Sequence, residues 1–258
     1  MPDDLRLRAR VSVGARVERI RRGWYRLKVP AGPAGVYRLA QLDDYGASLP
    51  RSMFRWRPPC TLSLRARASA SCLPGTWGFG WWNDPFTAQS GLSGMTRRWP
   101  TLPNAAWFFY ASPPGHLALR DDHPARGFLA SAFRARRSWP VGALLALPAL
   151  LPALITRRAF MLLRYLARLA VDEDAVALDV HPTQWHDYRL EWHVDHVAYY
   201  VDDTLQASTG VTPKAPLGLV IWIDNQYAAF PPNDRPRFGT LANPNEAWLD
   251  IADVTAEP

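Results

Sequence analysis

At 258 residues, 48% of them hydrophobic and 21% charged, the chain can bury a sizeable core without disulfide staples. Its formal net charge of +7 is carried almost wholly by arginine, dense in the first 70 residues and again over 126–168. No interleaved Lys/Arg helix of the kind that reads DNA is present, so nucleic acid is excluded as a partner and the arginine is read as compositional bias.

Twelve tryptophans and twenty-four prolines fit many short strands punctuated by turns. The first ten residues hold no apolar segment of the kind a secretory signal needs, so a cytoplasmic location is expected. Residues 1–50 then read as a series of strands, VSVGARVERI, GWYRLKV and VYRLAQLDDY. Over 51–135 follow TLSLRARASA, GTWGFGWWNDPF, AAWFFYAS and GHLAL, with Pro and Gly between them. Cys60 and Cys72 bracket the first of these, and an extended strand would hold the thiols roughly 40 Å apart, far beyond disulfide reach. They are read as inert, partly buried thiols.

Residues 141–170 differ, reading VGALLALPALLPALITRRAFMLLRYLARLA. The first half is apolar but broken by Pro148 and Pro152, and shorter than the roughly 20 residues that span a bilayer. The second half sets Arg157, Arg164 and Arg168 on one helical face and Phe160, Leu162, Leu163, Leu166 and Leu169 around the other. The segment is expected to be a helical insertion within a single domain spanning 1–258. It either packs its apolar face on the sandwich or serves as a lid or membrane-surface contact. Strands resume over 175–258 with AVALDVH, a hairpin, LGLVIWIDNQY and AWLDIADV, and this even spacing predicts an antiparallel sandwich.

The hairpin at 185–203, WHDYRLEWHVDHVAYYVDD, carries aromatic residues at Trp185, Tyr188, Trp192, Tyr199 and Tyr200 and ends in the turn Val201-Asp202-Asp203. It resembles the late hairpin of the concanavalin A-like lectin/glucanase superfamily, the family-16 glycoside hydrolases above all, where the turn is aromatic-Val-Asp-Gly. Gly75-Thr76-Trp77 followed by Trp81, the strand 216–222 and the closing strand 247–254 are similar to that family in the same order. The resemblance covers about two-thirds of the chain and implies an all-β jelly roll with a ligand groove on a concave sheet.

The family's chemistry does not carry over. Its retaining hydrolases bear Glu-x-Asp-x-(x)-Glu on one strand, because retention needs two carboxyls about 5–5.5 Å apart across the sugar. The corresponding strand here, 105–110, reads AAWFFY, and none of Glu18, Glu173, Glu191, Glu246 and Glu257 belongs to such a pair.

Candidate ligand contacts lie on two other strands. Over 219–227, Leu219, Ile221 and Ile223 alternate with Trp222, Asp224 and Gln226, a ring beside a carboxylate and an amide. Along 77–86, Gly78 and Gly80 share a face with Trp82 and Asp84, and strand glycines mark close approach by a ligand or another backbone. Asn83-Asp84-Pro85 also suits a turn, and 224–226 also suits the end of a strand. Asp43 and Asp44 face opposite ways in a regular strand and are expected in a loop role. His186, His193 and His196 lack further ligands at metal spacing, so no metal is expected. No phosphate loop or nucleophile elbow occurs, and no cofactor is expected.

Two functions are open. One is a non-hydrolytic glucanase-like protein binding a carbohydrate or glycolipid through Trp82, Asn83, Trp107, Tyr110, Trp222 and Gln226. The other is an intracellular enzyme acting on an apolar small molecule such as a terpenoid or lipid, by cyclisation, isomerisation or hydration. There Asp84 or Asp224 would be the general acid and ring faces, including Phe108, would steady positive charge.

Overall fold

The computed structural model describes residues 5–85, 98, 101–136, 157–232 and 234–258. The first half of the expected insertion lies outside these residues. The strands in chain order are β1 (Arg8–Val11), β2 (Arg16–Arg21), β3 (Trp24–Val29), β4 (Leu39–Asp43), β5 (Cys60–Ala68), β6 (Thr76–Trp82), β7 (Ala105–Ala111) and β8 (Gly127–Ala135). The helix α1 (Arg157–Ala170) then runs directly into β9 (Val171–Ala177). There follow β10 (His186–Trp192), β11 (Val197–Val201), β12 (Thr204–Thr209), β13 (Gly218–Asp224), β14 (Gln226–Ala229), β15 (Arg237–Thr240) and β16 (Ala247–Glu257).

Two seven-stranded sheets face each other. The front sheet runs β1-β4-β13-β6-β7-β8-β9 and the back sheet β12-β11-β10-β5-β16-β3-β2, while β14 and β15 form a separate ribbon. The ladders between these strands are antiparallel, for example Trp222 opposite Gly78 and Gly80 opposite Trp107 in the front sheet. The result is the expected antiparallel jelly-roll sandwich.

Period-two alternation explains how the sheets meet. From the front sheet Trp77, Phe79, Trp81, Phe108, Leu219, Ile221 and Ile223 point inward; from the back sheet Leu27, Leu62, Leu64, Tyr188, Leu190, Trp192, Tyr199 and Leu249 meet them. Rings interlock across the gap, Phe79 on Tyr188 at 5.0 Å and Phe108 edge-on to Tyr199 at 5.4 Å. Each such side chain contributes about 1.5–3 kcal/mol by leaving water, so register slips that turn them outward are strongly disfavoured.

The aromatic hairpin is β10 and β11. Tyr188, Trp192 and Tyr199 enter the core, Trp185 packs edge-on to Trp24 at 5.6 Å, and Tyr200 lies under Arg189. Asp202 and Asp203, at φ +48° and +58°, make the two-residue turn into β12. Both central residues of such a turn need positive φ, which Asp tolerates better than most side chains.

Three expectations need correction. The stretch GHLAL forms no strand; only His116 makes a bridge, to Ala229. Cys60 is buried as expected, but Cys72 is exposed, and both thiols are free. In α1, Arg164 does not join an outward basic face. It is buried, donating to the Ala118 and Phe230 carbonyls and pairing with Asp121.

Candidate functional site

The outer face of the front sheet carries a second cluster of rings, and alternation puts it there. With Trp77, Phe79 and Trp81 inward, Trp82 ends β6 on the outer side; likewise Trp107 and Phe109 on β7 and Val220, Trp222 and Asp224 on β13. Trp82 and Trp222 are parallel within 6° at 6.2 Å, and Trp107 lies 5.9 Å from the first and 5.4 Å from the second. Phe109 contacts Trp222 at 5.8 Å and Phe133 contacts Trp107 at 6.1 Å. Trp82 is half-buried, whereas Trp107 and Trp222 are each only 8% exposed.

Two glycines let the rings lie this close to the sheet. Gly78 sits between Trp222 and Phe109 on the neighbouring strands, and Gly80 sits opposite Trp107. A Cβ on Gly78 would come within 2.8 Å of the Trp222 ring and would also strike the Phe108 carbonyl. Gly80, at φ +154°, has the Ala106 carbonyl and Trp107 in the space a side chain would need. The close approach expected at these glycines is thus taken up by neighbouring strands and an indole.

All three indole N–H groups are tied back into the protein. Trp82 donates to the Tyr45 hydroxyl at 2.6 Å, Trp107 to the Ser131 hydroxyl at 3.0 Å and Trp222 to the Thr76 hydroxyl at 3.0 Å. The Thr76 hydroxyl in turn donates to Asp224 Oδ1 at 2.8 Å, which also accepts the Thr76 and Gln226 backbone N–H groups. Tyr37 donates to Asp224 Oδ2 at 3.3 Å. Burial pushes the Asp224 carboxyl up to about 6 against these donors, and pushes the Tyr37 hydroxyl well above its usual range.

The other acids are held more tightly. Asp84, at φ +49°, pairs with buried Arg98, whose guanidinium also donates to the Leu49 and Gly46 carbonyls and lies over the Tyr45 and Phe54 rings. Burial raises the Asp84 carboxyl and the Arg98 charge opposes the rise. Asp43 ends β4 on the outer side and accepts from Gln41 and the Gly46 N–H. Asp44 turns away from it to accept the Trp56 indole N–H at 2.6 Å and the Leu219 N–H, and burial lifts its carboxyl to about 6. The loop role expected of both holds for Asp44 alone; Asp43 is the last ladder residue of β4, though its carboxylate closes the following turn at Gly46.

The structure therefore brings Trp82, Trp107, Trp222 and Asp224 together, but β13 ends at Asp224 and half-buried Gln226, expected on the same strand, opens β14 in the separate ribbon. Asn83 is spent on the chain beside them, donating to the Leu102 carbonyl and accepting the Asn104 N–H. Tyr110 does not join them; it faces the inner core and stacks on Trp77 at 5.5 Å, as Phe108 also faces inward. Trp107 and Tyr110 are three residues apart on one strand and so must point to opposite faces. By the same rule Phe109 belongs to the outer cluster. Sequence reasoning also missed Tyr45, Ser131, Phe133 and Glu173. Glu173, buried on β9, accepts the Leu119 and Arg120 N–H groups and lines a small recess with Trp107, Phe109, Leu129, Ser131 and Phe133. Burial raises its carboxyl above the usual range.

On β7, where the family resemblance expects catalytic glutamates, the outward residues are Ala105, Trp107, Phe109 and Ala111. Among the described residues, no group of three or more His, Cys, Asp or Glu is placed to hold a metal ion. His186 pairs with Asp202, and His193 stacks on His196.

No family model matches the chain, and no curated protein matches it. Solved structures do resemble it. A glycoside hydrolase family 16 endo-glucanase from Bacteroides ovatus is 8% identical, covering 98% of this chain and 95% of that one, with a TM-score of 0.49. The LamAcat structure from Zobellia galactanivorans is 11% identical over 92% of this chain and 78% of that one, TM-score 0.44. The Emp47p carbohydrate recognition domain is 10% identical over 96% and 87%, TM-score 0.47. At such identities the chemistry of the site must be argued from this chain's own residues.

Proposed function

We propose that this protein binds a carbohydrate or glycolipid without hydrolysing it, on the outer face of the front sheet against Trp82, Trp107 and Trp222. The observation that carries this is the indole cluster itself. Its N–H groups are already satisfied inside the protein, so what it offers a ligand is ring face, chiefly that of half-buried Trp82. Ring faces suit the C–H surfaces of a sugar, with a few polar groups at the margin fixing orientation. Gln226 is the marginal amide with no side-chain duty inside the fold among the described contacts. Hydrolysis by retention would need a carboxyl pair, and the outward residues of β7 carry none.

Calorimetric titration with laminari-oligosaccharides, mixed-linkage gluco-oligosaccharides and a short-chain glucosylceramide tests the proposal. Binding is expected, weakened about tenfold, or about 1.4 kcal/mol, by Trp222→Ala. Release of reducing ends would remove the non-hydrolytic part. No binding to any of these probes, or binding indifferent to Trp222→Ala, would remove the whole.

One observation favours an enzyme acting on an apolar small molecule instead. Asp224 is buried against Trp222 through Thr76, with its carboxyl lifted to about 6, where a general acid works near neutral pH. Asp84 is the poorer acid because Arg98 favours its ionised form. Turnover of an apolar substrate that survives Asp224→Asn would end this alternative.

A further inference from the structure

Helix α1 is oriented against the usual rule that an amphipathic helix buries its apolar face. One of its arginines, Arg164, is inside and much of its apolar surface is outside. Arg164 is 5% exposed and holds the helix down through Asp121 and the Ala118 and Phe230 carbonyls. Phe160 is the buried ring beside it. Met161, Leu162, Tyr165 and Leu169 are 44%, 58%, 58% and 42% exposed, and their i, i+3, i+4 spacing places them on one arc. Arg168, exposed, borders that arc.

Beneath the helix, a chain of rings that starts at buried Phe160 leads to a second exposed ring. Phe160 contacts Phe230 at 6.4 Å, and Phe230 contacts Phe238 at 5.9 Å. Phe238 sits on the β14–β15 ribbon, is itself 58% exposed, and has exposed Arg235 and Arg237 near it in sequence. The nearby acids are each engaged: Asp234 by Arg237, Asp121 by Arg164 and Arg168, exposed Asp122 by Arg120, and Asp172 by Arg134 and Arg136.

We propose that the outward face of α1, extended by Phe238, docks on the surface of an anionic lipid bilayer. Charge and composition select lipid over another protein. An apolar and aromatic centre bordered by arginine is the pattern of a helix lying in the headgroup boundary. In the sequence, α1 also follows an uncharged run, 138–156, with Arg136-Arg137 before it and Arg157-Arg158 after it. Fourteen helical residues extend about 21 Å, short of the roughly 30 Å hydrocarbon core. No helix among the described residues is long and apolar enough to cross a membrane, so the contact is in-plane. The surface is separate from the indole cluster, and either proposal can fail without the other.

The test is co-sedimentation of the full chain with vesicles of phosphatidylcholine alone and of phosphatidylcholine mixed with phosphatidylglycerol. Binding is expected to the anionic vesicles, to fall with added salt, and to drop at least tenfold in Leu162→Asp/Tyr165→Asp. Both of these side chains are more than half exposed, so the fold is expected to keep its wild-type circular dichroism. No vesicle binding by the wild type, or equal binding by the double variant, would overturn the proposal. So would a wild-type dimer in sedimentation velocity that the double variant dissolves while vesicles go unbound, since a second copy would then be the occupant. An environment-sensitive dye on Leu162→Cys, in a Cys72→Ser background, gives an independent readout. A blue shift with anionic vesicles is expected, and no shift would sink the proposal even if the double variant misfolds.

Discussion

The outer faces of the two sheets are built from opposite materials. The back sheet finishes in ion pairs. Asp250, fully buried, accepts from Arg26 at 2.6 and 2.8 Å and from Arg67 at 3.1 Å, and both guanidiniums lie over Trp248. Lys28 meets Glu246 at 2.8 Å, and Arg65 lies over Trp185. The front sheet finishes in rings instead, Trp82, Trp107, Phe109 and Trp222, with Asp224 drawn beneath them. Inner faces of both sheets obey the same alternation, so they say nothing about ligand. The outer faces differ because water can finish a layer of half-exposed arginines but not a layer of indoles.

That contrast can be broken most decisively by comparing an inner ring with an outer one. Trp81, fully buried between the sheets, is expected to cost about 3–5 kcal/mol on Trp81→Ala in urea unfolding. Trp222→Ala should cost less, about 1–3 kcal/mol, because the ring is covered by other outer rings such as half-buried Trp82 and not by the second sheet. Equal losses would make the outer cluster a second structural core rather than a platform.

A smaller effect separates the two faces by pH. Asp224 has its carboxyl raised to about 6, so the folded state takes up its proton before the unfolded chain does near 4. Its contribution therefore improves as pH falls from about 7 to about 4 and worsens as pH rises through about 6. Stability of Asp224→Asn relative to wild type should accordingly decline over the fall from pH 7.5 to 4.5, by on the order of 2 kcal/mol. A pH-independent difference in melting temperature would show that Asp224 is ionised in the fold throughout.

The smallest effect is expected on the back face. Asp250→Ala leaves Arg26 and Arg67, whose side chains are 25% and 30% exposed, able to turn toward water. The loss should be about 1 kcal/mol, and a double-mutant cycle with Arg26→Ala should recover part of it. A loss as large as that of Trp81→Ala would mean that the charged layer is as much a core as the apolar one.

Much of the fold was legible because Trp77, Phe79, Trp81 and the Leu219, Ile221, Ile223 series alternate cleanly, and turn residues separate the strands. GHLAL misled because apolar alternation without a partner strand running alongside gives no ladder, only the bridge at His116. Arg164 misled more seriously. A helical wheel assigns arginine to water, and only the three-dimensional position of Asp121 and two free carbonyls turns it inward. Of the site, Trp82, Trp222 and Asp224 could be found by counting residues in twos. Applied to β7, the same counting excludes Tyr110 and admits Phe109. Ser131, Tyr45 and Glu173 come from strands and loops distant in sequence, and nothing local marks them.

The glycine opposite Trp222 carries one last consequence. Gly78 is required because the Phe108 carbonyl and the Trp222 indole together occupy the space where its side chain would be. The shape of the ring surface is thus set by a residue that presents nothing to a ligand. A lone methyl at 78 would push on both the neighbouring strand and the Trp222 ring, leaving every ring residue unchanged in identity. The shape of this face can therefore change by substitutions beneath it, and two chains with identical tryptophans need not present the same surface.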